Sequence, residues 1–435
     1  MATLSLIFSV LGAWMVFLLL GFTKLSFFSK PGCDYTDQYC KFLIQAQSIP
    51  VGEIFGAFLF CFLAEIFGRK YIVLTLFIPI IVYSALIEFS YDSKNFIFAS
   101  YARAISYGGA LTILPVYLGE ISEKQSRGKI ISSVFALHII GKYLQAVTKS
   151  IFTVAGISMV HYGSIVLSIL TGIVFAVFTR DTPSFFIQRK QPQQAKESLR
   201  DIRNANVDID NELEQLMGKR VSTENIEGTV MLCLESNGCL KAFIIMMSLL
   251  GFKILTGDYT LLLFIASPFN TTQHLSYVYI LIGVTLCGSS ILCSVLVDKI
   301  GRLNCLLISF VIMFVDQLVL IILVAVGTPI NEFLVIILII VFFFAYYIGI
   351  GPIPLVLVGE LFPMKFKMIL SATVTSFFFG LEFLAWICLY FKLEMNIMLI
   401  GSITFCLIAT FTVKLFYFET KGKSLNEIQL RLNKK

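Results

Sequence analysis

The stretch from Phe333 to Ile350 reads FLVIILIIVFFFAYYIGI, without a single charge. A helix needs about 20 predominantly apolar residues to cross the ~30 Å hydrocarbon core of a bilayer. Comparable runs recur along the 435-residue chain. They predict helices over roughly 4–23, 46–67, 71–90, 96–119, 130–149, 157–178, 241–266, 276–297, 304–326, 333–358, 369–391 and 396–418. Hydrophobic residues make up 57% of the chain and charged ones 14%, where soluble domains have about 25% charged. The fold class is therefore an all-α membrane protein with 12 transmembrane helices.

One long polar segment separates the sixth helix from the seventh. In it Leu199 and Ile202, then Leu213 and Leu216, recur at helical spacing among charges, which predicts short amphipathic helices. The expected organisation is two six-helix bundles, 1–178 and 241–418, joined by a cytoplasmic helical linker, 179–240, and followed by a cytoplasmic tail, 419–435. Most of the 33 Lys and Arg fall on one side when both termini are placed inside, and the bias persists with the linker set aside. Both termini are thus expected in the cytoplasm. The net charge of +6 reflects this loop bias, and no nucleic-acid partner is expected.

Two outer-loop features agree with that orientation. Asn270-Thr271-Thr272 forms a glycosylation sequon between helices 7 and 8. Cys33 and Cys40 share the first outer loop, as a disulfide or as two free thiols. Neither a CxxC pair nor a Cys/His cluster with zinc spacing occurs, so no metal or cofactor is expected. His138, His161 and His274 are too dispersed for a metal site. The sequence also offers no nucleophile–base pair or phosphate loop, and the chain is not read as an enzyme.

The halves repeat in motif as well as in helix count. AEIFGRK (Ala64–Lys70) follows helix 2 and VDKIGRL (Val297–Leu303) follows helix 8, each an acid, two residues and Gly-Arg. LGEISEKQSRGK follows helix 4 and VGELFPMKFKM follows helix 10, placing Glu120 seven residues before Arg127 and Glu360 seven before Lys367. Acids and bases at adjoining helix ends can latch one face of a two-bundle machine shut. Six-helix repeats around a midplane site are the layout of alternating-access transporters.

These motifs carry a resemblance. PVYLGE (Pro115–Glu120), GPIP (Gly351–Pro354), GELFP (Gly359–Pro363), FETKG from Phe418 and Asp181-Thr182-Pro183 stand in the order found in sugar porters of the major facilitator superfamily. The chain is most similar to the insect facilitated trehalose transporter-like branch. The resemblance implies the major facilitator fold, with a sugar bound between the bundles. It implies an inner charge network of Glu65, Arg69, Glu120, Arg127, Asp298, Arg302, Glu360, Lys367 and Glu419. Gating would fall to Gly351, Pro352 and Pro354, since proline removes a backbone donor and breaks the helix. A small-molecule solute and the lipid bilayer are the implied partners. The chain is expected to work as a monomer in the plasma membrane.

The sugar-coordinating pattern itself departs from the family. Helix 5 has Phe135-Ala136 where Gln-Leu is expected, and helix 11 has Phe378-Phe379 in place of Asn-Trp. The Trp after GPIP is Leu355, and Arg103 stands one turn beyond the position, Ser100, where the helix 4 Arg is expected. Helix 7 carries Lys253, Thr256, Gly257, Asp258 and Tyr259 where two glutamines and an asparagine are usual. A charge at the centre of a spanning helix costs about 2.5–3.5 kcal/mol, so Lys253 and Asp258 call for partners or a function. Candidate substrate contacts are Lys253, Thr256, Asp258, Tyr259, Glu382 and Gln145, with Lys142 nearby. Lys253 and Glu382 are expected to face one cavity, where they can pair with each other. Glu53, Glu88 and Asp316 are read as lying nearer helix ends or as lacking a counterpart.

The resulting expectation is a facilitative carrier of a hexose or trehalose-like sugar. Helix 1 lacks an acid, which favours uniport over proton symport. A proton-coupled carrier of a non-standard polar solute and a non-transporting sensor are the competing readings.

Overall fold

The computed structural model describes residues 2–22, 35–89, 93–151, 154–203, 208–224, 237–257, 275–326, 332–390 and 395–433. The N-terminal half contains α1 (Ala2–Phe22), α2 (Tyr35–Phe67), α3 (Arg69–Thr75), α4 (Phe77–Phe89), α5 (Ser93–Ile121), α6 (Arg127–Ile151) and α7 (Val154–Phe178). Three short helices follow, α8 (Pro183–Gln188), α9 (Pro192–Ile202) and α10 (Ile209–Glu224). The C-terminal half contains α11 (Asn237–Leu255), α12 (Leu275–Ile300), α13 (Arg302–Val326), α14 (Glu332–Ile348), α15 (Ile353–Leu361), α16 (Lys367–Tyr390) and α17 (Met395–Phe416). A final helix, α18 (Leu425–Asn433), closes the described chain.

Helix is the available solution because hydrocarbon offers backbone groups no partner, so each N–H must be satisfied within its own segment. Serine and threonine hydroxyls obey the same constraint by bonding back one turn. Thr112 donates to Gly108 O, Ser132 to Gly128 O and Ser371 to Lys367 O. Among the described residues eleven spans are long and apolar enough to cross a membrane. Eleven such spans are those of an integral membrane protein.

The predicted fifth span is present as α6 but is not among those eleven. Arg127, Lys129, Lys142, Gln145 and Lys149 dilute it, and it is shielded between α1 on one side and α12 on the other. Gly21 lets α1 close onto α6, since a Cβ there would lie 2.1 Å from His138 O. Of the predicted seventh span, 241–266, the described residues reach Gly257. α11 ends at Leu255, and Gly257 adopts φ 108°, where L side chains are strained.

Within the N-terminal half α2 packs on α5, and α4 on α5 and α7; within the C-terminal half α13 packs on α14 and α17, and α11 on α16. The halves meet along a seam where α16 lies on α2, α12 on α6, and α15 on α5 and α6. α5 is buried along nearly its whole length, whereas α7 and α17 turn most of their apolar surface outward. That difference distinguishes a seam helix from a lipid-facing one. The predicted amphipathic linker helices form as α9 and α10. Leu199 and Leu213 join Ile187 and Ala195 in a small core of their own, with Leu216 packed against it.

Candidate functional site

One face of the molecule gathers the charged motifs. The turn between α2 and α3 puts Gly68 at φ 99°, and the matching turn between α12 and α13 puts Gly301 at φ 101°. Both glycines leave the first N–H groups of the next helix exposed, and a carboxylate fills each place. Asp181 accepts the Arg69 N–H at 3.0 Å. Glu419 accepts those of Arg302 at 3.1 Å and Leu303 at 3.0 Å. Negative charge is favoured there because helix N-termini carry orphan donors and the positive end of the dipole. A Cβ on Gly68 would meet Asp181 Oδ2 at 1.9 Å, and one on Gly301 would meet Glu419 Oε2 at 2.3 Å.

The arginines of these turns reach inward. Arg302 pairs with Asp298 at 2.9 Å and with Glu360 at 2.8 Å, and the second Glu360 oxygen accepts the Thr420 hydroxyl at 2.7 Å. Arg69 approaches Glu120 at 3.7 Å, donates to Gln188 at 2.9 Å and lies over the Phe185 ring. Glu120 meets Arg69 and Glu360 meets Arg302, each across neighbouring helices. The reason is geometric, since each glutamate ends its helix facing the neighbouring Gly-Arg turn.

The bases act across the seam or on helix ends. Lys367, 1% exposed, donates to Gly359 O at 2.6 Å. Burial holds the Arg127 guanidinium below its usual range, opposed by the attraction of Glu360 from the other half. Burial likewise raises the Asp181 carboxyl, opposed by the Thr182 N–H and then by Arg69. The Glu65 side chain is exposed, while its carbonyl accepts Arg189 at 3.3 Å, so its motif partner Asp298 carries the pairing that Glu65 does not.

This face is shut. A Cβ on Gly119 would lie 2.9 Å from Gly359 O, and one on Gly359 would lie 2.7 Å from Pro115 O, so α5 and α15 touch backbone to backbone. Asp298 accepts the Lys129 N–H across the seam at 2.7 Å, and Gln188 donates to Met364 O at 2.9 Å. Arg203, paired to Glu212, donates to Ile121 O at 2.6 Å and caps the end of α5.

A small cavity of about 20 Å³, room for roughly one water, lies deeper in the seam, lined by Leu111, Lys253, Pro354, Leu355, Thr375 and Phe378 among others. It abuts the break in the tenth span. Proline deprives residues 352 and 354 of N–H groups, and Leu355 N bonds Pro352 O, so Gly351 O accepts the Lys253 ammonium at 2.9 Å. Tyr346 returns a bond to Lys253 O at 3.0 Å. The ammonium lies 4.9 Å from the Phe135 ring centroid and 5.1 Å from that of Phe378. The residues that depart from the family's amide pattern thus come together around one cation.

Other candidates fall elsewhere. Thr256 donates its hydroxyl to Phe252 O, and its carbonyl accepts Gln317 at 2.7 Å, so it anchors the end of α11. Ser402 completes that anchor by donating to Gln317 Oε1 at 2.9 Å. The sequence reading missed Gln317 and Ser402, although an amide inside a span was a signal. Gln145, Glu382, Glu53 and Arg103 are all buried. His138 stacks on Tyr107, with centroids 5.0 Å apart. Asp316 is buried midway along α13, not near its end, and neither of its oxygens has a hydrogen-bond partner among the described residues. Asp258, Tyr259, Asn270 and Cys33, with the Cys40 side chain, lie outside the described residues.

A family model described as "Sugar (and other) transporter" matches residues 14–432. The chain is 26% identical over 387 residues to the facilitated trehalose transporter Tret1 of Polypedilum vanderplanki, covering 85% of this chain and 75% of that one. It is 25% identical over 418 residues to Tret1 of Bombyx mori, covering 88% and 77%. Its fold is similar to that of the proton:xylose symporter XylE bound to 6-bromo-6-deoxy-D-glucose, at a TM-score of 0.84 and 18% identity over 98% of this chain and 99% of that one. Against the inward open conformation of XylE from E. coli, the TM-score is 0.66 at 20% identity, over 97% and 98%.

Proposed function

The chain belongs to the sugar (and other) transporter family, and from that premise we propose that it carries a sugar across the membrane by facilitative alternating access. The observation that supports this most is the closed face, where contacts between the two halves shut one end of the seam that holds Lys253, Pro354, Leu355 and Phe378. Such an arrangement lets the halves rock about a fixed site. The bias of Lys and Arg supports placing the closed face and both termini in the cytoplasm. The structure then corresponds to a carrier shut on its inner side, in keeping with the higher TM-score to the sugar-bound symporter than to its inward open form.

In this reading residues 1–178 and 241–418 are the moving bundles, 179–240 is the cytoplasmic linker and 419–435 the tail. A hexose or a disaccharide such as trehalose is the proposed cargo, the plasma membrane the proposed location and the monomer the working unit. Lys253 is the principal polar group offered to the solute, with Thr375 beside it. Gly351, Pro352 and Pro354 form the bend that moves. Glu120, Arg69, Glu360, Arg302, Asp298 and Glu419 form the latch.

Uptake into proteoliposomes across a panel of hexoses, trehalose, polyols and sugar acids tests the proposal. Saturable uptake of a sugar, insensitive to a protonophore, is expected. Failure across the whole panel despite measurable ligand binding would point instead to a sensor.

A further inference from the structure

The Lys253 ammonium is held by both halves of the molecule. Gly351 O and the Phe378 ring belong to the C-terminal half, as Lys253 itself does. Phe135, 4.9 Å away, belongs to α6 of the N-terminal half. Phe135 is 6% exposed and also meets Tyr347 across the seam, with centroids 5.9 Å apart and planes at 26°. Aromatic faces attract cations within about 6 Å of the centroid, more strongly when water is excluded. This contact therefore joins the halves immediately beside the cavity that Lys253 lines.

We propose that Phe135 is a positioning residue of the transport cycle. Its ring holds the Lys253 ammonium across the seam in the empty carrier, and an entering solute takes the ammonium over and releases that contact. The inference rests on the carrier reading above. An aromatic face offers an ammonium N–H no lone pair, whereas a solute hydroxyl or carbonyl oxygen does. The exchange therefore favours the loaded form, and it removes one tie between the halves. Loading is thereby coupled to rocking, as a ligand shifts an equilibrium only through differential contacts in the two states. It also explains why a phenylalanine, which cannot hydrogen-bond a sugar hydroxyl, stands where the family's pattern places an amide.

Two measurements test this. Phe135→Leu keeps apolar bulk but removes the ring face, and Phe135→Tyr keeps the face. For a sugar that the wild type carries, Phe135→Leu is expected to lower KM by about threefold with kcat less affected. Phe135→Tyr is expected to restore the wild-type KM. An unchanged or raised KM in Phe135→Leu would overturn the inference and leave the carrier reading standing.

The second measurement does not depend on the cargo. Ser122, 1% exposed at the end of α5, is replaced by cysteine, and its rate of maleimide labelling is read in unsealed membranes against the unsubstituted parent. Lys253→Met and Phe135→Leu should each speed labelling, and the double variant should be no faster than Phe135→Leu, because the contact with Lys253 is broken in both and Phe135→Leu also removes the Tyr347 stacking. Additive effects, or no change, would reject the tie. Should no sugar be carried, the carrier reading fails while this cycle still decides the Lys253–Phe135 contact.

Discussion

Asp298, on the C-terminal half, accepts the backbone N–H of Lys129 from the N-terminal half at 2.7 Å, while its other oxygen meets Arg302 at 2.9 Å. Lys129 lies in the first turn of α6, where N–H groups lack intrahelical partners. One carboxylate thus ties an intramolecular ion pair to the capping of a helix in the opposite half. Asp181 and Glu419, from the linker and the tail, cap α3 and α13. Asp298 alone of the three carries its cap across the seam.

Asp298→Ala should therefore favour opening of the charged face. Hydrogen bonds to charged groups contribute about 1.5–3 kcal/mol, which sets the expected shift between closed and open forms. Faster maleimide labelling of a cysteine at Ser122 is the measurement. Unchanged labelling would show that the bond does not hold the gate.

Gly359→Val should act on the same equilibrium by steric means. A Cβ at Gly359 lies 2.7 Å from Pro115 O and 2.8 Å from Ile131 Cδ1, and backbone cannot withdraw as a flexible side chain does. Each half keeps its own packing, so detergent-extracted protein should remain monodisperse while uptake falls at least tenfold. Wild-type uptake would mean that α5 and α15 need not touch.

Removing Arg302 should damage stability more than gating. Glu360 is 2% exposed, and without Arg302 it becomes a buried carboxylate lacking its ion partner. Breaking such a pair costs about 3–5 kcal/mol. Arg302→Met should lower the melting temperature in detergent markedly. Arg302→Met with Glu360→Leu should recover much of that loss.

Asp181→Asn and Asp181→Ala should separate charge from hydrogen bonding. Asparagine retains an oxygen for the Arg69 and Thr182 N–H groups, whereas alanine leaves both unmet, at about 1–3 kcal/mol. Burial raises this carboxyl above its ordinary range, so its ionised form opposes folding. That opposition is full above the raised value and vanishes as pH falls below the ordinary one. Melting curves of the wild type should thus gain stability from this site as pH drops through that window, and Asp181→Asn should lack the gain.

The spans, the two-half layout and the charged motifs were legible because each depends on local composition. Hydropathy over about 20 residues defines a membrane helix wherever its neighbours lie. Gly-Arg turns were recognisable from their repetition, and the breaker-rich Gly351–Pro354 segment from proline's missing donor. α6 was legible as a helix but not as a shielded one, since its lysines read the same whether lipid or protein surrounds them. That Glu120 meets Arg69 and Glu360 meets Arg302 was not legible. Sequence separation along a helix says little about which neighbouring turn a side chain meets.

Thr256 and Lys253 show the same limit at the site. Three residues apart at the end of α11, both read as polar groups in a span, but one turns to Gln317 and Ser402 and the other to the seam. By itself the sequence determined that the chain is a membrane-embedded sugar-transporter relative with its gating motifs kept and its amide site altered. Only the tertiary structure decided that Phe135, Phe378 and Gly351 converge on Lys253. Hydropathy and motif order are properties of contiguous residues, whereas this cation's partners come from α6, α16 and the break between α14 and α15, whose relative placement is set by packing.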